Sequence, residues 1–171
     1  MSDGKITRIA LIQQAGLSPN KSANVSALLQ AIDDVGSTAD VICATELSST
    51  PYFAVVHDES LATWAEPLDG GLVAEVAARA KRFETTILLP LFLQSNEDKR
   101  ENAVIVIGPN GQIVEGTTAA GTTHQYYSKT HLPFSWRNER GLDEPFYFTP
   151  GDHYPVFDTP TGKIGVLICY D

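Results

Sequence analysis

Apolar residues recur along this chain with two different periods, and the switches between them lay out its elements. From Ile6 to Gln13, apolar and polar positions alternate among β-branched residues, which predicts a first strand. Ser18-Pro-Asn-Lys21 reads as a turn and helix cap. Val25, Leu28, Leu29 and Ile32 then fall at helical spacing, so a helix is expected from about Ser22 to Val35. Ala39 to Glu46 is an apolar run of strand length. After a loop rich in Ser, Pro and aromatics (47–67), Asp69-Gly-Gly71 opens a second helix through Phe83. Leu72, Val76, Ala80 and Phe83 share one of its faces, and Thr85 to Leu93 predicts a third, buried strand.

The second half of the chain changes character. Asn102 to Ile107 and Gln112 to Thr117 flank Pro109-Asn-Gly111, and Asn-Gly is the strongest short hairpin signal. Val156-Phe-Asp158 and Lys163 to Ile168 flank Thr159-Pro-Thr-Gly162 as a second hairpin. The order β-α-β-α-β followed by antiparallel pairs predicts an α/β layered protein with a mixed sheet. Between the hairpins, Ser128 to Gly151 carries aromatics, prolines and charges without a regular period. A loop of that length in a compact domain points to function.

Composition narrows the class. The 171 residues fit one domain, 1–171, able to bury about 70% of its unfolded surface. Apolar residues at 43% and charged ones at 19% fit a globular rather than a disordered chain. No apolar run approaches the roughly 20 residues that span a membrane, so no membrane partner is expected. Met1 to Arg8 has no signal-peptide apolar stretch. Cys43 and Cys169 both lie in β-like runs and offer no disulfide framework, which makes a cytoplasmic location the default expectation. A net charge of −9 argues against nucleic acid as a partner, because phosphates require a basic patch.

Three residues suggest chemistry only when taken together. Cys169 stands at the exit of Lys163 to Ile168, where α/β enzymes place reactive groups. Glu46 stands at the exit of Val41-Ile-Cys-Ala-Thr45, and Lys129 lies within Tyr127-Ser-Lys-Thr-His-Leu-Pro133. Singly, they read as a solvated strand end, a surface lysine and a small buried hydrophobe. Jointly they form a known solution to amide hydrolysis. A carboxylate can take the proton from a thiol, and an ammonium with a backbone N–H can hold the oxyanion that follows.

Leu-Ser-Ser-Thr-Pro-Tyr-Phe after Glu46, Tyr-Ser-Lys-Thr-His-Leu-Pro around Lys129 and Gly-Val-Leu-Ile-Cys-Tyr-Asp around Cys169 resemble the three signatures of the carbon–nitrogen hydrolase (nitrilase) superfamily, in its order. The resemblance covers essentially the whole chain. It implies an α/β fold of the αββα four-layer sandwich type. It also implies Glu46 as general base, Lys129 as oxyanion-stabilising lysine and Cys169 as nucleophile. Glu144, three residues before Tyr147-Phe148, resembles the family's second, positioning glutamate, and Tyr170 the residue whose N–H completes the oxyanion hole. Thr50-Pro-Tyr-Phe53 and Phe146-Tyr-Phe-Thr-Pro-Gly-Asp152 are most similar to N-carbamoylputrescine amidases and related N-carbamoyl-amine hydrolases. The implied partner is a small-molecule amide or N-carbamoyl amine, with no metal or organic cofactor required. A homo-oligomer is implied for the full-length form. Two stretches depart from the family: Gly116 to Gln125 is longer than its usual connection, and Phe134 to Asp143 differs beside the pocket.

The family continues beyond its nucleophile with a helix, further strands and much of a partner sheet. The expectation is therefore a domain incomplete at its C-terminus, present as the N-terminal part of the sandwich. Another amidase or nitrilase activity, or a non-catalytic fragment that associates without turnover, are the alternatives. His57, His124, His131 and His153 show no metal-ligand spacing with either cysteine. Trp64 and Trp136 are read as loop-packing residues, with Trp136 also able to line the substrate pocket. Gly70-Gly71 is a turn rather than a phosphate loop. Asn24-Val-Ser26 has a glycosylation pattern but falls on a predicted helix, so it is read as accidental.

Overall fold

The computed structural model describes residues 6–14, 17–137 and 140–171. Two helices form where the apolar spacing places them. Helix α1 (Lys21–Val35) is capped by the Asn20 side chain, which accepts a hydrogen bond from the Ala23 N–H at 3.1 Å. Its buried stripe is Leu28 and Ile32, with Asn24 beside them. The Asn24 amide donates to the carbonyls of Ser18 and Ser49, so this residue ties α1 to a distant loop. Helix α2 (Gly71–Phe83) buries Leu72, Val73, Val76 and Ala80. It ends at Glu84 in the left-handed region, whose N–H caps the Ala80 and Lys81 carbonyls.

The strands divide between two sheets. The first contains β1 (Ile9–Leu11), β2 (Val41–Cys43), β3 (Glu66–Pro67), β4 (Thr86–Asn96), β5 (Lys99–Ile107) and β8 (Tyr126–Ser128). Its order is β1-β2-β4-β5-β8, with β3 also on β4. Pairing is parallel from β1 through β4 and antiparallel from β4 through β8, giving the expected mixed sheet. The second sheet runs in the order β10 (Gly162–Gly165), β9 (Val156–Thr159), β6 (Gly116–Thr117) and β7 (Thr123–His124).

Strand β4 is buried on both faces from Thr86 to Leu93, which is why its sequence is continuously apolar rather than alternating. Ile87, Leu89, Leu91 and Leu93 join Ile105 and Ile107 against α1 and α2. On the opposite face, Leu88, Val104, Val106 and Tyr127 meet Phe157 and Ile168. Helices, first sheet and second sheet therefore stack as three layers among the described residues. This order of helices, sheet and sheet agrees with the αββα arrangement that the resemblance implies.

Several boundaries differ from the sequence reading. Only Ile9–Leu11 of the Ile6–Gln13 run is strand, because its partner β2 stops at Cys43 and the chain turns away. The second run likewise ends at Cys43, which leaves Glu46 in a turn. The Asn-Gly turn forms, with Gly111 at φ 77° and the Gly108 N–H donating to Gln112 at 2.8 Å. Its return arm, however, touches β5 only around Ile113 and Val114, and Gly116–Thr117 then pairs with β9 in the second sheet. The long Gly116–Gln125 connection is itself a small hairpin, β6 with β7. A hairpin the pattern did not suggest joins β4 to β5 through Glu97-Asp98. Strand β10 ends at Gly165, so Cys169 lies in a turn beyond the strand rather than at its tip.

Leu89 is fully buried between β4 and the helices. Leu89→Ala should lower unfolding free energy by about 2–5 kcal/mol, the range for large-to-small core changes. A urea melt with the midpoint unmoved would show that this layer is not a packed core.

Candidate active site

The position of Glu46 follows from a proline. Alongside β4, strand β2 ends opposite Leu88 and β3 begins opposite Leu93, leaving a gap in the sheet at Pro90. A strand residue points its N–H and C=O to the same side, and the Pro90 carbonyl faces Ser48, accepting from its N–H at 3.0 Å and its hydroxyl at 2.6 Å. Pro90 has no N–H to offer there, so a central strand tolerates it at this one place. Through that gap the turn 46–49 leaves the sheet. Leu47 within it has φ 52°, a strained value for a bulky residue. Thr45 holds the approach, donating to the Ile12 carbonyl at 2.8 Å and accepting from the Gln14 N–H at 3.1 Å.

Lys129 follows directly on β8, its N–H bonded to the Asn102 carbonyl at 2.9 Å and its carbonyl accepting from Gly151 at 2.9 Å. Its side chain is fully buried. The ammonium donates to Glu144 Oε1 at 2.8 Å and to Glu46 Oε1 at 3.1 Å. Glu144 is also fully buried and opens a short 3₁₀ turn, Glu144–Phe146, capped by Asp143. Asp143 is held in turn by His57 Nε2 at 2.9 Å, and that ring is stacked between Trp136 and Phe146. Trp136 therefore packs the loop instead of being among the cavity walls. The loop folds back on itself through the Ser135 N–H to Leu142 carbonyl bond. Gly141, at φ 131°, is required there: a Cβ would fall 2.1 Å from the Ser135 carbonyl oxygen.

Two residues to which the sequence pattern gives no chemical role complete the carboxylate partners. The Tyr52 hydroxyl donates to Glu144 Oε1 at 2.8 Å, and the Asn102 amide donates to Glu46 Oε1 at 2.7 Å. Tyr52 belongs to the Leu47 to Phe53 stretch after Glu46, but nothing local marks it as a carboxylate donor. Asn102 was legible only as a polar residue entering an apolar strand.

Cys169 and Glu46 share a cavity of about 790 Å³, whose other walls include Gln14, Tyr52, Pro133, Phe134 and Leu142. Tyr170 lies on the same cavity and is 65% exposed. The Cys169 backbone is itself left-handed, at φ 47°. Strained backbone at both Leu47 and Cys169 flanks one cavity, as is common where side chains are aimed for function.

Electrostatics tie the groups together. Burial alone would push the Lys129 ammonium down, but Glu144 and Glu46 outweigh it and raise its pKa, so it stays charged. Burial pushes the Glu144 carboxyl up, against Lys129 and Tyr52, which pull it down. Burial and then the Glu46 charge raise the Cys169 thiol above its ordinary value, with Lys129 opposing them. The resting sulfur is therefore a thiol at neutral pH and requires a base to become a nucleophile.

Residues 8–171 match the carbon-nitrogen hydrolase family. The chain is 27% identical to a beta-ureidopropionase of Arabidopsis thaliana, covering 99% of this chain and 41% of that protein. It is 30% identical to an N-carbamoylputrescine amidase of the same plant, covering 92% and 49% respectively. The crystal structure of a carbon–nitrogen hydrolase from Helicobacter pylori G27 superposes with a TM-score of 0.80 at 21% identity, over 96% of this chain and 52% of that one. The chain thus spans about half the length of the proteins it matches.

Glu46→Gln should separate acidity from activation. Removing the neighbouring negative charge should lower the Cys169 pKa, so the pH–rate curve for its alkylation should move to lower pH. Mass-spectrometric alkylation rates between pH 6 and 10, at Cys169 against Cys43, would measure this. A curve that stays in place or moves upward would mean that Glu46 does not act on the thiol.

Proposed function

This chain belongs to the carbon–nitrogen hydrolase family, and from that membership we propose that it carries the catalytic groups of a cysteine hydrolase acting on an N-carbamoyl amine. One observation carries the reading. A fully buried ammonium, Lys129, is held by two carboxylates beside a cavity that contains a strained cysteine. A positive charge is costly to bury without a partner, and here two carboxylates partner it while its charge also acts on the Cys169 thiol.

In this mechanism Glu46 takes the proton from Cys169, and the thiolate attacks the ureido carbon. Lys129 and the Tyr170 N–H hold the developing oxyanion. The tetrahedral intermediate collapses with loss of ammonia, which leaves with the proton that Glu46 returns. The product is a carbamoyl thioester on Cys169. Glu46 then activates water, sulfur leaves as the thiol, and the released carbamate breaks down to carbon dioxide and the amine. Glu144 acts as a positioning carboxylate: its Oε1 holds Lys129, while its Oε2 is buried without a partner among the described residues.

The names of two relatives support the substrate class, since both the beta-ureidopropionase and the N-carbamoylputrescine amidase are named for carbamoylated amines. The cavity favours the latter type. Its walls at Leu17, Pro51, Pro133, Phe134 and Leu142 are apolar and its charge, at Glu46, is negative. That surface suits a substituent that is aliphatic or cationic better than one carrying a carboxylate.

Ammonia release measured across a panel of N-carbamoyl amines, N-carbamoyl acids, simple amides and nitriles tests the reading. N-Carbamoylputrescine should exceed N-carbamoyl-β-alanine in kcat/KM. Cys169→Ala should remove essentially all turnover, whereas Cys43→Ala should keep most of it. Lys129→Ala should lower kcat by about 10²–10³, the usual loss for one oxyanion donor. A change in KM alone would place Lys129 in ground-state binding instead. Glu144→Gln should give a milder loss.

A further inference from the structure

The Cys169 turn lies outside regular structure. Strand β10 ends at Gly165, and the neighbouring Leu167 and Tyr170 are largely exposed. A non-glycine residue in the left-handed region is strained and persists only where its surroundings hold it. Apart from the burial of Ile168, the strongest hold comes from a residue with no role in the mechanism above. The Asp171 side chain is almost completely buried. Its Oδ2 accepts from the Ile168 N–H at 3.0 Å, which closes the turn around Cys169, and from the Tyr127 hydroxyl at 2.6 Å. Its Oδ1 accepts from the Thr130 N–H at 3.1 Å, the Thr130 hydroxyl at 3.0 Å and the His131 N–H at 2.9 Å, with His131 Nδ1 at 3.2 Å. The Asp171 N–H itself returns to the Ile168 carbonyl at 3.0 Å.

We propose that Asp171 is a positioning residue that latches the Cys169 turn onto the segment immediately after Lys129, fixing the thiol relative to the ammonium. The proposal rests on the reading of Cys169 as the nucleophile. One carboxylate grips two stretches that lie about 40 residues apart: 168–171, which carries the cysteine, and 127–131, which carries the lysine. Each oxygen bonds both backbone and side-chain groups, so the latch fixes orientation as well as distance. Burial would raise the Asp171 pKa, but the bonds from Tyr127, Ile168, His131 and Thr130 pull it down to about 2, so the latch stays anionic across the working pH range. Asparagine cannot replace it. An amide has one accepting oxygen, and its NH₂ would face N–H donors.

Asp171→Asn should reduce kcat for N-carbamoyl amine hydrolysis at least tenfold with KM changed less than threefold. Released from the Glu46 charge, Cys169 should also be alkylated by iodoacetamide along a pH–rate curve shifted to lower pH. A merely structural role would lower Tm and leave the curve of the folded protein in place. Tyr127→Phe and Thr130→Ala each remove one donor to the carboxylate, and should give smaller shifts in the same direction should Asp171→Asn fail to fold. A curve unchanged in all folded variants, with turnover intact, overturns the latch and leaves the proposed function standing. A shifted curve in a protein that hydrolyses none of the panel supports the latch and removes the proposed function.

Discussion

The charge on Lys129 is the constraint around which the candidate site is arranged. An ammonium with no solvent contact is unfavourable by several kcal/mol unless its partners are well placed. Glu46 and Glu144 supply that placement from two separate turns, 83 and 15 residues away in sequence. Neither carboxylate is left to the lysine alone: Asn102 donates to one and Tyr52 to the other. The strand end at Lys129, the turn at Glu46 and the 3₁₀ turn at Glu144 must all be correct at once. Removing one member of such a buried set exposes the others to an uncompensated charge, which is why partners of this kind couple rather than add.

Backbone geometry follows from the same demand. The break between β2 and β3 along β4 gives the chain room to leave the sheet with Glu46 aimed inward, and Pro90 marks it because no N–H is wanted there. Leu47, next to the cavity-lining Glu46, and Cys169, itself on the cavity wall, both take left-handed conformations. Glu84 takes the same conformation, but there it ends a helix and caps two carbonyls. The difference lies in what surrounds each residue. Glu84 is held by its own helix, whereas Leu47 is held by the buried loop 47–50, and Cys169 by contacts that converge from another part of the chain.

Among the described residues of the long loop after β8, aromatic packing holds the short 3₁₀ turn Glu144–Phe146 in place. Phe53, Phe92, Tyr147 and Phe148 pack edge-on or tilted at centroid distances of 4.7–6.2 Å, and Trp64 adds an edge contact to Phe53. The His57 ring, between Trp136 and Phe146, carries the contact outward to Asp143. These contacts fix the direction in which Glu144 enters the site. The loop's aromatic content, evident from sequence, thus serves to place a carboxylate.

Both helices, the mixed sheet and the Val156–Gly165 hairpin were legible in the sequence, because periodic burial writes itself into residue type. Leu28 and Ile32, or Ile87, Leu89 and Leu91, cannot alternate with polar residues without exposing a face. The candidate residues Glu46, Lys129, Glu144 and Cys169 were legible too, through motifs held in order along the chain. Strand ends were not, since β1 and β2 stop where a partner stops, and pairing is a property of two segments. The fate of the arm after Gly111 was equally hidden: the Asn-Gly turn is local, but the departure of Gly116–Thr117 depends on β9, about 40 residues away. Tyr52, Asn102 and Asp171 carried no local signal for their bonds. Their partners come from distant turns, and only the folded chain decides which donor a carboxylate meets.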